Sequence, residues 1–176
     1  MKEYTISIFT ENEIGMLSRV VTVFTRRHIN VESINASKSS MKGIYRFLIV
    51  VRVSQEMVEK LVAQLDKQVD ILKAFYQDES EIVYQELALY KVPTDSFRNG
   101  NDMESLVRSH NARILCIESE YIVIEKTGHQ HETQAFFTAL EPHGIFEFVR
   151  SGRVAVSKPM EQLNAYLNSV EEGRFV

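Results

Sequence analysis

The sequence predicts an α+β fold made of two βαββαβ sandwiches in tandem, on three observations. Two-residue apolar alternation and the three-to-four-residue spacing of buried helices follow one another as strand, helix, strand, strand, helix, strand, twice over. A short acidic stretch, Asp78-Glu79-Ser80-Glu81, separates the two runs. Charge changes sign across it: residues 1–76 carry 11 basic and 8 acidic side chains, whereas residues 77–176 carry 9 and 16. The expected domains are therefore 1–77 and 83–176. Such opposite surface signs help like chains or a partner to orient on approach.

In the first half, Tyr4, Ile6 and Ile8 alternate with polar residues, the period of a strand. The polar turn Thr10-Glu11-Asn12-Glu13-Ile14-Gly15 precedes Leu17, Val20, Val21 and Phe24, the apolar stripe of a helix. Arg26, Arg27 and His28 fall in its last turn, where positive charge suits the carbonyl end. Asn30 to Ala36 alternates again, Ser37 to Lys42 is turn-like, and Tyr45 to Val53 is strongly β-forming. Ser54 is placed to cap a helix carrying Val58, Leu61, Val62 and Leu65, and Val69 to Tyr76 closes the unit as a strand. This is the order of a ferredoxin-like sandwich, two helices on one face of a four-stranded sheet. Phe47-Leu48-Ile49-Val50-Val51 has no polar break, so the strand expects cover on both faces. Packing on the second unit would supply it. Dimerisation through the open face or edge is the preferred expectation, since so small a domain is marginal alone.

The second half repeats the order. Val83 to Val92 reads as a strand and Pro93 to Asn101 as a loop. Asp102 reads as the cap of a helix with Leu106, Val107 and, near its end, Ala112. A hairpin joins Arg113–Glu118 to Tyr121–Glu125 about Ser119 and Glu120, and Thr127-Gly128-His129 is a turn. A helix over Thr133 to Leu140 turns Phe136, Phe137 and Leu140 inward, and Pro142 limits its end. Strands at Ile145–Val149 and Val154–Val156 follow, with a last helix from Pro159 through Leu163, Tyr166 and Leu167.

Composition narrows the function classes. The chain has 176 residues, 44% of them apolar and 25% charged, which is globular composition. A net charge of -4 gives no handle for nucleic acid or an anionic membrane. Cys116 is the single cysteine, so no internal disulfide and no cysteine-rich zinc site can form. The start lacks the apolar core of a secretory signal, and the five residues from Phe47 to Val51, the longest apolar run, fall far short of the roughly 20 that span a bilayer. The expectation is a cytoplasmic protein with neither membrane nor nucleic-acid partner.

No HExxH, phosphate-binding glycine loop or GxSxG elbow is present, so neither catalytic residues nor a metal site are expected. Asp66 and Asp70, with Lys67 and Lys73, read as a solvated face, and Cys116 between Leu115 and Ile117 reads as a buried thiol. His129 and His131 are too few for a persuasive metal site. The turn at Asn12 to Leu17 is different. An amide side chain and a glycine stand before a helix whose first N–H groups and dipole receive a carboxylate. Gly15 admits close approach of a ligand, and Asn12 can donate or accept. The same residues also suit a local cap, with Asn12 closing the helix, and chemistry alone leaves both readings open. Asn30 is a second amide at the start of the next strand, equally explained by asparagine's frequency after helix ends.

Thr10-Glu11-Asn12-Glu13-Ile14-Gly15-Met16-Leu17-Ser18-Arg19-Val20-Val21, followed by Arg27-His28-Ile29-Asn30-Val31-Glu32-Ser33-Ile34, resembles the opening of the acetolactate synthase (acetohydroxyacid synthase) small regulatory subunits, with their T-x-N-x-x-G-x-L-S-R-V core. In the second half, Glu86-Leu87-Ala88-Leu89-Tyr90-Lys91-Val92, Glu125-Lys126-Thr127-Gly128 and Arg150-Ser151-Gly152-Arg153-Val154-Ala155 follow the family's later pattern in order. The resemblance spans residue 3 to about residue 157. It implies an N-terminal ACT domain over 1–77 for effector binding and dimerisation, and a second ferredoxin-like domain over 83–176. The implied role is regulatory: raising the activity of a large catalytic subunit and making it sensitive to valine or another branched-chain amino acid. No cofactor is implied on this chain; thiamine diphosphate, magnesium and FAD belong to the catalytic partner. Carried over, Asn12, Gly15, Met16 and Leu17 would hold the effector, with Asn30 and Val31 of a neighbouring copy closing the pocket. Ile14, Met16 and Asn35-Ala36-Ser37 depart from the family's usual residues, and bulk at Ile14 and Met16 would narrow the pocket or loosen its mouth. The competing reading is a free-standing ACT-domain amino-acid sensor, or a transcription regulator on the same domain, which the second-half motifs disfavour.

Overall fold

The structure, a computed structural model, describes residues 1–98 and 102–158. Strand β1 (Lys2–Glu11) leads to α1 (Met16–Arg26), β2 (Val31–Lys38), β3 (Ile44–Val53), α2 (Gln55–Leu65) and β4 (Ile71–Gln77). These strands form an antiparallel sheet in the order β2-β3-β1-β4, the ferredoxin-like arrangement expected. Tyr4, Ile6, Ile8, Phe47, Ile49 and Val51 point to one face and pack with Val20, Phe24, Val58, Leu61 and Leu65 of the two helices. Ser54 caps α2 as predicted, its side chain accepting from the Met57 N–H.

Three local expectations change. The buried stripe of α1 is Met16, Val20, Val23 and Phe24 rather than Leu17, Val20, Val21 and Phe24. The helix starts at Met16, and the i, i+4, i+7, i+8 set counted from there faces the sheet, leaving Leu17 half exposed. Val69 is exposed in a turn instead of opening β4, because Ile71 N–H closes back on the Gln68 carbonyl. Asp66 and Asp70 share no helical face, since α2 ends at Leu65. Asp66 accepts from the Ala74 N–H at 2.8 Å, and Asp70 pairs with Arg19.

On the opposite sheet face Thr5, Ser7, Phe9, Leu48 and Val50 are buried, so β3's unbroken apolar run has the cover on both faces that the sequence led us to expect. Arg153 reaches Thr5 there from the far end of the sequence. Strand β2 is an edge strand of this sheet among the described residues.

A 3-10 turn over Glu79–Glu81, capped by Asp78, leads into β5 (Ile82–Pro93). The second unit, Tyr84–Gly152, continues with α3 (Asp95–Arg98), α4 (Asp102–Ser109), β6 (Arg113–Ile117), β7 (Tyr121–Gly128), α5 (Gln130–Leu140) and β8 (Glu147–Arg150). Its sheet order, β6-β7-β5-β8, repeats the first topology. The hairpin closes where expected, Glu118 N–H donating to the Tyr121 carbonyl. Residues Thr127 to His129 are not a turn: β7 runs to Gly128, and α5 starts at once with Glu132 accepting the His129 N–H. The core joins Ala88, Tyr90, Ile122 and Ile124 to Val107, Phe136 and Leu140. Cys116 is partly exposed rather than buried. Residues 153–158, including β9 (Val154–Ser157), group with the first unit rather than with residues 84–152. Strand β9 pairs with β5, whose first residues, Ile82 and Val83, lie in that unit. Asp102 is the first residue of α4, so the capping position falls at residue 101, which lies outside the described residues, as does the predicted last helix from Pro159. Among the described residues no helix is long and apolar enough to cross a membrane.

Candidate functional site

At the end of β1 the chain turns through Asn12 to Gly15 into α1. Asn12 N–H donates to the Gly43 carbonyl at 2.9 Å and Glu13 N–H to the Glu11 carbonyl, pinning the start of the turn to the β2–β3 hairpin. Gly15 is the N-cap residue and lies in the left-handed region at φ 88°. A Cβ there would meet nothing within 4 Å, so glycine serves the backbone conformation and leaves open space outside. The first i to i−4 bond of the helix is Arg19 N–H to the Gly15 carbonyl at 3.0 Å. Gly15 offers no side-chain cap, and the Asn12 side chain makes no hydrogen bond among the described residues. The reading in which Asn12 closes the helix is therefore overturned, and the Leu17 and Ser18 amides are left as the donors a helix start presents.

A cavity of about 240 Å³ opens at this turn. Asn12, Gly15, Met16 and Leu17 line it with Thr10, Glu11, Glu13, Ala36, Tyr45 and Phe47. Strand register assembles the floor: Phe47 stands opposite Ile8 on one side and Ala36 on the other, and Tyr45 opposite Thr10 and Lys38. These floor residues escape linear pattern-reading because the pairing of β3 with both neighbours creates the group. Met16 is buried and its side chain belongs to the first unit's core, while Leu17 faces outward. The wall combines helix-start amides with the carboxylates of Glu11 and Glu13 over an apolar floor, an arrangement suited to a small molecule carrying both charges.

Asn30 and Val31 do not line this cavity in the same chain. Asn30 is exposed just before β2, and its explanation as a helix-end residue does not hold. His28 takes the left-handed position at φ 54°, with His28 N–H bonded to the Thr25 carbonyl and Ile29 N–H to the Phe24 carbonyl. Val31 and Ala36 lie five residues apart on the strand, about 16 Å at strand rise. Among the described residues no group of three or more His, Cys, Asp or Glu side chains could hold a metal ion.

Comparison with known proteins agrees along most of the chain. Residues 6–73 match the acetohydroxyacid synthase small-subunit-like ACT domain, and residues 85–159 match the small subunit of acetolactate synthase. The chain is 35% identical over 155 residues to the acetolactate synthase small subunit of Mycolicibacterium smegmatis, covering 88% of this chain and 91% of that one. Against the Bacillus subtilis acetolactate synthase small subunit the identity is 33% over 158 residues, with 89% and 91% covered. The crystal structure of the Thermotoga maritima small subunit superposes with a TM-score of 0.82 at 28% identity, over 92% of this chain and all of that one. With its two halves matched in order by both domains, this chain belongs to the acetolactate synthase small-subunit family, the non-catalytic regulatory subunits.

Proposed function

We propose that this subunit raises the activity of a separate acetolactate synthase catalytic subunit and renders it inhibitable by valine or another branched-chain amino acid. The effector binds at the Gly15 turn, where two copies of the chain meet through their ACT domains. The cofactors of the reaction, thiamine diphosphate, magnesium and FAD, reside on the partner. The observation that carries the reading is the uncapped, open turn with an apolar-floored cavity beside it. The effector's carboxylate bonds the Leu17 and Ser18 amides and the Asn12 side chain, its ammonium faces Glu11 and Glu13, and its side chain lies toward Tyr45 and Phe47. Burying an isopropyl group contributes about 1.5–3 kcal/mol. Each charge-assisted hydrogen bond contributes about as much, so the charged ends matter as much as the apolar tail.

Dimerisation through β2 is supported by its place at the sheet edge over eight residues. Ile14, Leu17 and Ile34 are exposed apolar side chains in the same unit. A two-fold axis pairing β2 with its copy in antiparallel fashion sets the start of one strand beside the end of the other. That brings a neighbour's Asn30 and Val31 to the end of β2 that carries Ala36, which lines the cavity. Reconstitution tests the proposal: the chain is co-purified with a catalytic subunit and acetolactate formation is measured with and without valine. Stimulation that valine reverses is expected; a catalytic subunit indifferent to the chain would end the reading.

A further inference from the structure

We infer that Arg153 is a positioning residue that ties the chain's exit from the second unit to the strand walling the cavity. Its regulatory meaning rests on the proposed effector function; its geometry does not. Ser151 is fastened to the second unit by two bonds to Leu87, its N–H donating to the carbonyl at 2.8 Å and its Oγ accepting the Leu87 N–H at 2.9 Å. Two residues later Arg153 is fastened to the first unit. Its side chain is 4% exposed, Nη1 donating to Thr5 Oγ1 at 2.9 Å and Nη2 to Glu3 Oε1 at 2.6 Å. Gly152 alone separates the two anchors. Beyond them the exit segment stays on the first unit, Ser157 Oγ donating to Gln77 and Lys158 N–H to the Glu81 carbonyl.

Glu3 and Thr5 stand on β1, and Thr10 and Glu11 at the other end of that strand line the cavity. A stiff strand held at one end by an effector and at the other by Arg153 passes a displacement to Ser151, because one intervening residue leaves little slack. The other crossing, Val83 to Tyr84, runs inside the continuous strand β5. Arginine suits the task because its planar fork serves two acceptors at once, whereas the single ammonium of lysine does not reproduce that geometry. A residue that merely stabilised the fold would lower binding and response together. A positioning residue separates them, since an effector shifts only those equilibria to which its site is coupled.

The test uses full-length wild type, Arg153→Lys and Glu3→Gln, each reconstituted with a catalytic subunit. Valine affinity is measured by calorimetry, together with inhibition at saturating valine and hydrogen exchange of the amides from Ser151 to Ser157. In Arg153→Lys, affinity stays within about twofold, maximal inhibition falls to about half or less, and exchange quickens about tenfold. Glu3→Gln keeps the Thr5 contact, gives a milder form of the same split, and carries the test alone if Arg153→Lys does not fold. Wild-type inhibition with wild-type exchange overturns the inference, as does affinity falling in step with inhibition. If the wild-type chain itself binds neither valine nor another branched-chain amino acid, the proposed function fails instead. Exchange then decides the clasp: faster supports it and unchanged overturns it.

Discussion

Replacing Gly15 with alanine isolates the backbone conformation on which the site depends. A side-chain-bearing residue in the left-handed region costs roughly 1–2 kcal/mol. A Cβ at Gly15 would meet no atom within 4 Å, so no steric clash adds to this and no packing relieves it. The expected loss is therefore the backbone cost alone, about 1–2 kcal/mol, and for a cooperative unit of 60–100 residues each kcal/mol lowers the melting temperature by about 4–8 °C. Gly15→Asn is the control, since asparagine visits this region more readily; its loss should be a fraction of alanine's. Thermal unfolding followed by circular dichroism measures both variants, and valine titration follows on the folded proteins. If alanine relaxes the turn, the Leu17 and Ser18 amides swing away and affinity falls with stability. Gly15→Ala melting with wild type, or Gly15→Asn falling below Gly15→Ala, would refute the left-handed N-cap.

Asn12→Ala leaves the fold intact and weakens valine binding by about ten- to a hundredfold, the worth of one charge-assisted hydrogen bond; equal calorimetric affinities would remove Asn12 from the site. Ser54→Ala removes the α2 cap and destabilises the chain by about 1 kcal/mol in a urea titration, and an unchanged midpoint would contradict the cap. The Asp78 carboxyl is held down from 3.8 to about 2, chiefly by the hydrogen bond from Lys2 and then by Ser80. A carboxyl depressed in the folded state contributes stability above its unfolded value and loses it as pH falls toward the folded one. Asp78→Asn should therefore flatten the acid limb of the melting-temperature profile between 3.8 and about 2, and parallel profiles there would count against the pair.

Local physics made much of the fold legible. Period-two alternation marked β1 and β2, the side-chain oxygen of Ser54 marked the start of α2, and Ser119-Glu120 marked a hairpin. Phase and register were less accessible. One residue's change in the start of α1 replaces Leu17 and Val21 by Met16 and Val23 on the buried face, and composition hardly distinguishes those sets. Tyr45 and Phe47 join Asn12 only through strand pairing 33 to 35 residues away. Arg153 was invisible as a member of the first unit because its partners, Glu3 and Thr5, lie about 150 positions earlier. That last point bears on experiment. A cut near residue 80, otherwise a natural boundary, would strip β1 of a buried arginine, so point substitutions separate the two units' roles more cleanly.

The shared site is tested most directly by complementation between two variants, each defective in one half of it. Asn12→Ala and Asn30→Ala chains are mixed under conditions that exchange subunits, and valine binding is measured by calorimetry. In a two-fold dimer a mixed pair holds one doubly altered site and one intact site, so an equal mixture recovers about one quarter of wild-type capacity at wild-type affinity. Each variant alone has no site of wild-type affinity. A mixture that binds no better than its separate components would contradict a site built from two chains.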